Sequence, residues 1–231
     1  DIDMESLEEY LDSGSKVPGG AYKIDLANSS TPTHSGIMYV HADQSTVPSG
    51  EQAGARVKNA ADLKPLLSNA GLDPSKGMTV ATNAPLYTKG DLNEGDPGDR
   101  IPLLLAGDSI NILSNSFDDS DYQNYDPTED SPTNRHGPRN NASDTTTNAV
   151  FIAGQVPTKE NQYGGGGENF FRYLERWSGK DHNYRGSSLA LFDSRIATAS
   201  WDKNTGRGTK AGYYGAPRRK WGWDTTFSTG T

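Results

Sequence analysis

The chain has 231 residues, a hydrophobic fraction of 32% and a formal net charge of −8, with 30 acidic side chains against 22 basic ones. Its 26 Gly and 13 Pro, together with abundant Asn, Ser, Thr and Asp, exclude a helical bundle and point to short strands joined by many turns. The absence of cysteine excludes disulfides, zinc–thiolate sites and thiol nucleophiles, and no apolar run approaches the roughly 20 residues of a membrane-spanning helix.

No signal peptide is visible, and the chain begins at Asp1 and not at Met, as a processed or excised piece with an upstream targeting segment would. The first dozen residues, DIDMESLEEYLD, predict a helical turn or two, with Ile2, Leu7 and Leu11 apolar and Gly14 as the stop. GIMYVHA (36–42) has the β-branched and aromatic content of a strand. NAADLKPLLSNAGLDPSKG reads as a connector with one helical turn, interrupted at Pro65 and closed by Gly71. Residues 1–76 are thus an N-terminal strand-and-loop segment leading into the main body.

From Gly77 onward four runs share one design: an apolar stretch, a Gly, a polar residue and a further apolar one. They are YTKGDL, LLAGDSI, FIAGQV and YRGSSL, centred on Gly90, Gly107, Gly154 and Gly186. Short strands punctuated by Gly at a loose period predict a mainly β body over 77–231, stacked as a right-handed β-solenoid or β-helix. A β-sandwich with similar hairpins is the competing architecture.

Two insertions lengthen the period. Residues 116–147 have almost no aliphatic side chain and predict an exposed excursion. The second, 158–182, holds four glycines, Gly164–Gly167, followed by ENFFRYLERW. Phe170, Leu174 and Trp177 at i, i+4 and i+7, with Phe171 beside them and Gly179 beyond, predict one short packed helix near 168–178. The glycines then act as a hinge. A phosphate loop would need Lys and Ser or Thr after the last Gly, where this chain has Glu168, Asn169 and Phe170.

The blocks GMTVATNAPLYTKGDLN, DSINILSNSFDD, NAVFIAGQVPT, GGGENFFRYLERWSGKDHNYRGSSLALFDSRIATASW and YGAPRRKWGWDTTF, in that order, cover about residues 77–227. In them the chain resembles the C-terminal region of bacterial type IV pilus-associated, prepilin-like (minor pilin-like) proteins. That resemblance implies a β-solenoid module, an extracellular or cell-surface location, and pilin-like subunits or other surface proteins as partners. One competence-associated relative is thought to bind DNA at the pilus tip. The chain departs from the pattern in lacking the N-terminal helix and in its enlarged acidic insertion at 116–147.

Three sets of residues carry candidate chemistry. The last 50 residues, 182–231, hold eight Lys or Arg and three Asp or Glu, a net of +5 that leaves −13 on the remainder. There Tyr213, Tyr214, Trp221 and Trp223 interleave with Arg218, Arg219 and Lys220, a composition that suits DNA or a glycan. The same residues also suit a cap on the end of a β stack, with basic stems lying over rings. Asp91, Asn93, Asp96 and Asp99 offer closely spaced hard oxygens for calcium, as do Asp118, Asp119, Asp121 and Asp126, though neither run has the EF-hand pattern. Gly107-Asp108-Ser109-Ile110 resembles the serine block of GDS-type esterases. None of His34, His41, His136 and His182 has an Asp three residues before it, so the base expected of that class is missing.

The sequence therefore predicts a non-enzymatic extracellular structural or adhesion module that requires no cofactor. A DNA- or polysaccharide-binding receptor is the alternative, and a GDS-type serine hydrolase the third reading.

Overall fold

The computed structural model describes residues 1–5, 22–24, 36–43, 45, 47, 52–120, 141–156, 171–196, 198 and 217–225, with the backbone alone for 22–24. The protein is mainly β. Its strands are β1 (Ile2–Asp3), β2 (Tyr22–Ile24), β3 (Gly36–Val40), β4 (Ala55–Ala60), β5 (Met78–Thr82), β6 (Leu86–Leu92) and β7 (Leu103–Gly107), followed by β8 (Ile110–Leu113), β9 (Thr145–Gln155), β10 (Phe171–Tyr173), β11 (Asp181–Asp193) and β12 (Arg218–Gly222). They form one curled sheet. Among the described residues every pairing is parallel except that of β2 with β3.

The pairings fall into three ladders. The first joins β2, antiparallel, to β3, and then β5, β7, the second half of β9 and the second half of β11. The second joins β1, β4, β6, β8 and β10. The third joins the ends of β4 and β6, the start of β9, the start of β11 and β12. Side chains alternate along each strand, so register stacks like with like. Inward in the first ladder lie Met38, Val80, Leu105 and Phe151, all buried. Outward lie two columns, Ile37–Thr79–Leu104–Val150–Ser187 and Tyr39–Ala81–Ala106–Ile152–Leu189.

Corners between ladders use backbone that few residues adopt. Asn59 (φ 52°) and Gly90 (φ 78°) turn the chain from the second ladder to the third in β4 and β6. At Gly186 (φ 154°) a Cβ would stand 1.8 Å from the Ala149 carbonyl oxygen, so only glycine fits. The four glycines that suggested a repeat are therefore not equivalent. Gly107 sits opposite Ala153 in the first ladder, whereas Gly90 and Gly186 occupy corners. The true steps from Val80 to Leu105, Phe151 and Ser188 are 25, 46 and 37 residues.

The short helix is α1 (Lys64–Asn69), in the connector after β4, with Pro65 in its first turn and Gly71 (φ 70°) just beyond. Proline suits a first turn because its missing N–H would have no partner there. The helix expected near 168–178 is not formed where that stretch is described: Phe171–Tyr173 is strand β10. Phe171, Tyr173, Glu175 and Trp177 are all buried, at a period of two. Their strand alternation prevails over the helical spacing of Phe170, Leu174 and Trp177, because β8 offers a parallel edge for pairing. Phe170 itself, with Gly164–Gly167, lies outside the described residues. At the N-terminus Ile2–Asp3 pairs with β4 as a strand, so the expected helix cannot begin before Met4. Thr145–Thr147, at the end of the first insertion, is likewise strand.

Candidate functional site

The basic and aromatic residues of the C-terminal segment arrive on β12, which pairs with β11 and is the last strand of the third ladder among the described residues. Tyr213 and Tyr214 lie outside the described residues. Alternation splits the others between two sides of the strand. Arg218 and Lys220 point outward, and both reach Asp181: Arg218 Nε donates to Oδ1 at 2.5 Å, and Lys220 Nζ is 2.5 Å from Oδ2. Lys220 first and then Arg218 hold the Asp181 carboxyl below the usual range. Trp221 continues the inward column Leu92–Thr147–Tyr184, and Arg219 continues Thr145–His182. The Arg219 guanidinium lies 5.2 Å from the Trp221 ring centre, within cation–π reach. Trp221 is 42% exposed and Trp223 59%.

Beneath Trp221 lies a closed aromatic nest. Phe171, His182 and Tyr184 meet its ring edge-on at 5.4, 6.0 and 5.8 Å. His182 is fully buried. Trp221 Nε1, which can only donate, points at His182 Nδ1 at 3.3 Å, and the Tyr173 hydroxyl lies 2.7 Å from the same nitrogen. Nδ1 is thus the acceptor, and Nε2–H donates to Thr147 Oγ1 at 2.8 Å. Burial, and secondarily the Arg219 charge, push the His182 pKa down to about 3, so the ring is neutral at pH 7. Neutral, saturated and enclosed, His182 holds three strands together.

The acidic turn after β6 does not converge on a point. Asn93 is buried in a left-handed conformation (φ 50°), and its amide is committed to backbone. Nδ2 donates to the carbonyls of Ile101 (2.8 Å) and Asn148 (2.9 Å), and Oδ1 accepts from Ile101 N–H (3.0 Å). Asp91 Oδ1 accepts from Thr146 N–H at 2.7 Å, while the Asp96 carbonyl receives the Asp99 N–H. Asp96 and Asp99 are exposed. Among the described residues no group of three or more His, Cys, Asp or Glu could hold a metal ion. Of the second acidic run, Asp119 accepts from Arg56 at 2.7 Å, Asp118 caps Ser120 N–H, and Asp121 and Asp126 lie outside the described residues.

Asp108 and Ser109 form the corner between β7 and β8. The Asp108 carboxylate accepts from the N–H groups of Arg195 (2.6 Å) and Ile196 (3.0 Å), and its carbonyl accepts from Gly154 N–H and Ser194 Oγ. Ser109 is 3% exposed, and its Oγ accepts from Asn111 Nδ2 at 3.3 Å. Of the described histidines, His182 is bound in the nest and His41 is exposed. The corner ties β7 to β9 and to the residues that follow β11.

Sequence reasoning missed three further buried polar devices. Glu175 accepts from Ser114 N–H and Oγ, both at 2.6 Å, and burial raises its pKa against those bonds. Arg100 pairs with Asp224 at 2.9 Å, both side chains almost fully buried, tying the turn before β7 to the residues after β12. His182 is the third. Only Glu175 left a trace in the sequence, as the third inward position of the alternation from Phe171.

No family model, curated protein or solved structure matches this chain.

Proposed function

We propose that the chain is a non-enzymatic structural or adhesion module of a type IV pilus-like, minor pilin-like surface assembly, its three ladders wound as a right-handed β-solenoid. In that winding each turn passes through the first, second and third ladders in order, and the insertions leave at corners. The observation that carries the reading is the use made of Asp108: its carboxylate and carbonyl are spent on four backbone or hydroxyl donors from later rungs. Asn93 and His182 are likewise committed to neighbouring strands. Groups that could have carried chemistry serve cohesion. Location follows from the resemblance alone, and shearing intact cells tests it. Antibody against the chain is expected to detect it in the sheared surface fraction, and detection only after lysis would reject the reading.

A receptor for DNA or polysaccharide is the second reading, favoured by the exposure of Trp223 and of Trp221, whose ring the Arg219 guanidinium covers. Aromatic faces stack on bases or sugars while cations meet phosphates. Binding to single-stranded DNA that weakens with salt and with Arg219→Ala would support it. Absence of binding at low salt would remove the DNA form of the reading.

A further inference from the structure

The third ladder carries opposite charge at its two edges. At one edge, β12 pairs with β11 alone among the described residues, and all five of its residues are exposed. Arg185, Arg218, Arg219 and Lys220 stand there against Asp181, a side-chain net of +3. The other edge is the end of β4, with β1 alongside that strand. Asp1 and Asp3 pair with Arg56 and Lys58, and the Asp3 carboxylate also accepts from Nδ2 of Asn59, the corner at which β4 enters this ladder. The exposed Glu5 follows, and the sequence continues with Glu8, Glu9 and Asp12. Six acids against two bases give that edge a side-chain net of −4.

Charged side chains on an edge strand ordinarily keep edges apart. Here that rule holds only for an edge that meets its own kind. Basic against basic and acidic against acidic repel, whereas basic against acidic attracts. The basic edge also bears apolar surface that protection by charge leaves unexplained: Leu191 and Phe192 on β11, Trp221 on β12 and Trp223 just beyond it are all exposed. An exposed apolar patch rimmed by polar groups marks a contact surface.

We propose that the basic edge at β12 receives the acidic edge of a second copy of the chain, formed by Asp1–Glu5 beside the end of β4. The two patches are different surfaces, so the contact is heterologous and copies join head to tail. Each added copy leaves one edge of either kind open, and the assembly grows as an unclosed chain. Because the charges are exposed, their attraction reaches about 30 Å at about 0.01 M salt and only about 3 Å at about 1 M.

Sedimentation equilibrium of the whole chain at about 0.01 M salt, from about 10 μM to 1 mM, tests this. The average mass is expected to climb from 24.9 kDa past twice that value, and to fall back to 24.9 kDa at about 1 M salt. Glu5→Lys and Arg219→Glu each raise the dissociation constant about tenfold or more, since each sets like charges together at the contact. An equimolar mixture of the two variants associates again, because the altered edge of one then meets the altered edge of the other. Circular dichroism checks that each variant folds, and Lys220→Glu replaces Arg219→Glu if that variant does not. A wild-type monomer at about 1 mM in low salt overturns the proposal. So does association indifferent to both substitutions, or a mixture no more associated than its two components.

Discussion

Acidification destabilises the protein through His182. Its pKa is about 3 in the fold, against 6.5 for a free histidine, with burial as the main cause. Between those values the unfolded chain binds a proton that the native state refuses. The contribution to stability is therefore complete above pH 6.5 and is lost as pH falls toward about 3. At about 1.4 kcal/mol per pH unit, going from pH 7 to pH 5 removes about 2 kcal/mol. With a urea dependence of about 2–3 kcal/mol per molar, the unfolding midpoint drops by roughly 0.7–1 M. Glu175 acts in the opposite direction, since its raised pKa lets the native state regain a proton as pH falls. The measurement is therefore a difference: urea unfolding of wild type and His182→Gln at both pH values. The variant starts less stable, because the Tyr173 and Thr147 contacts change, but its loss between pH 7 and pH 5 is smaller by about 2 kcal/mol. Equal losses in the two proteins, or an imidazole signal for His182 titrating near the free value in the folded state, would refute the reasoning.

Three other perturbations follow from the packing. Trp177 is fully buried and meets Tyr173 edge-on at 5.3 Å, so Trp177→Ala is expected to cost about 3–5 kcal/mol in denaturant unfolding, with DNA or glycan binding, if present, unaffected in the fraction still folded. Arg100→Met leaves the Asp224 carboxylate in a buried site without its cation and is expected to cost about 3–5 kcal/mol; a loss below about 1 kcal/mol would mean the pair is solvated. About 1 mM calcium is expected to leave the melting temperature unchanged, because Asn93 and Asp91 already spend oxygens on Ile101 and Thr146; a rise of several degrees would restore the acidic turn as a metal site.

Local signals in the sequence carried the strands, and long-range register stayed hidden. GIMYV, LLLAG and the apolar run around Phe151 read directly as strands, and each is one. ENFFRYLERW supports two periods at once, and only the free edge of β8 selects the shorter. The glycines were visible, but a glycine marks a backbone need and not a ladder, so Gly90 and Gly186 could not be told apart by pattern. The basic–aromatic segment was legible as composition. That Arg218 and Lys220 turn outward to Asp181 while Arg219 and Trp221 turn inward depends on the register with β11. Asp108 to Arg195 and Arg100 to Asp224 span 87 and 124 residues, and nothing local in the sequence points across such distances.

Strands distant in sequence lie in parallel register, and the chain's lack of cysteine makes that directly measurable. Ala106 and Ile152 face each other on adjacent strands of the first ladder, 46 residues apart. Neighbouring strands lie about 4.8 Å apart, inside the usual Cα range for a disulfide, while the diagonal from Ala106 to Val150 is about 8 Å. The double variant Ala106→Cys/Ile152→Cys is expected to form an intramolecular disulfide in dilute, mildly oxidising solution, and Ala106→Cys/Val150→Cys is not. Failure of the first pair to close, or equal closure of both, would contradict the parallel register of β7 and β9 on which the proposed function depends.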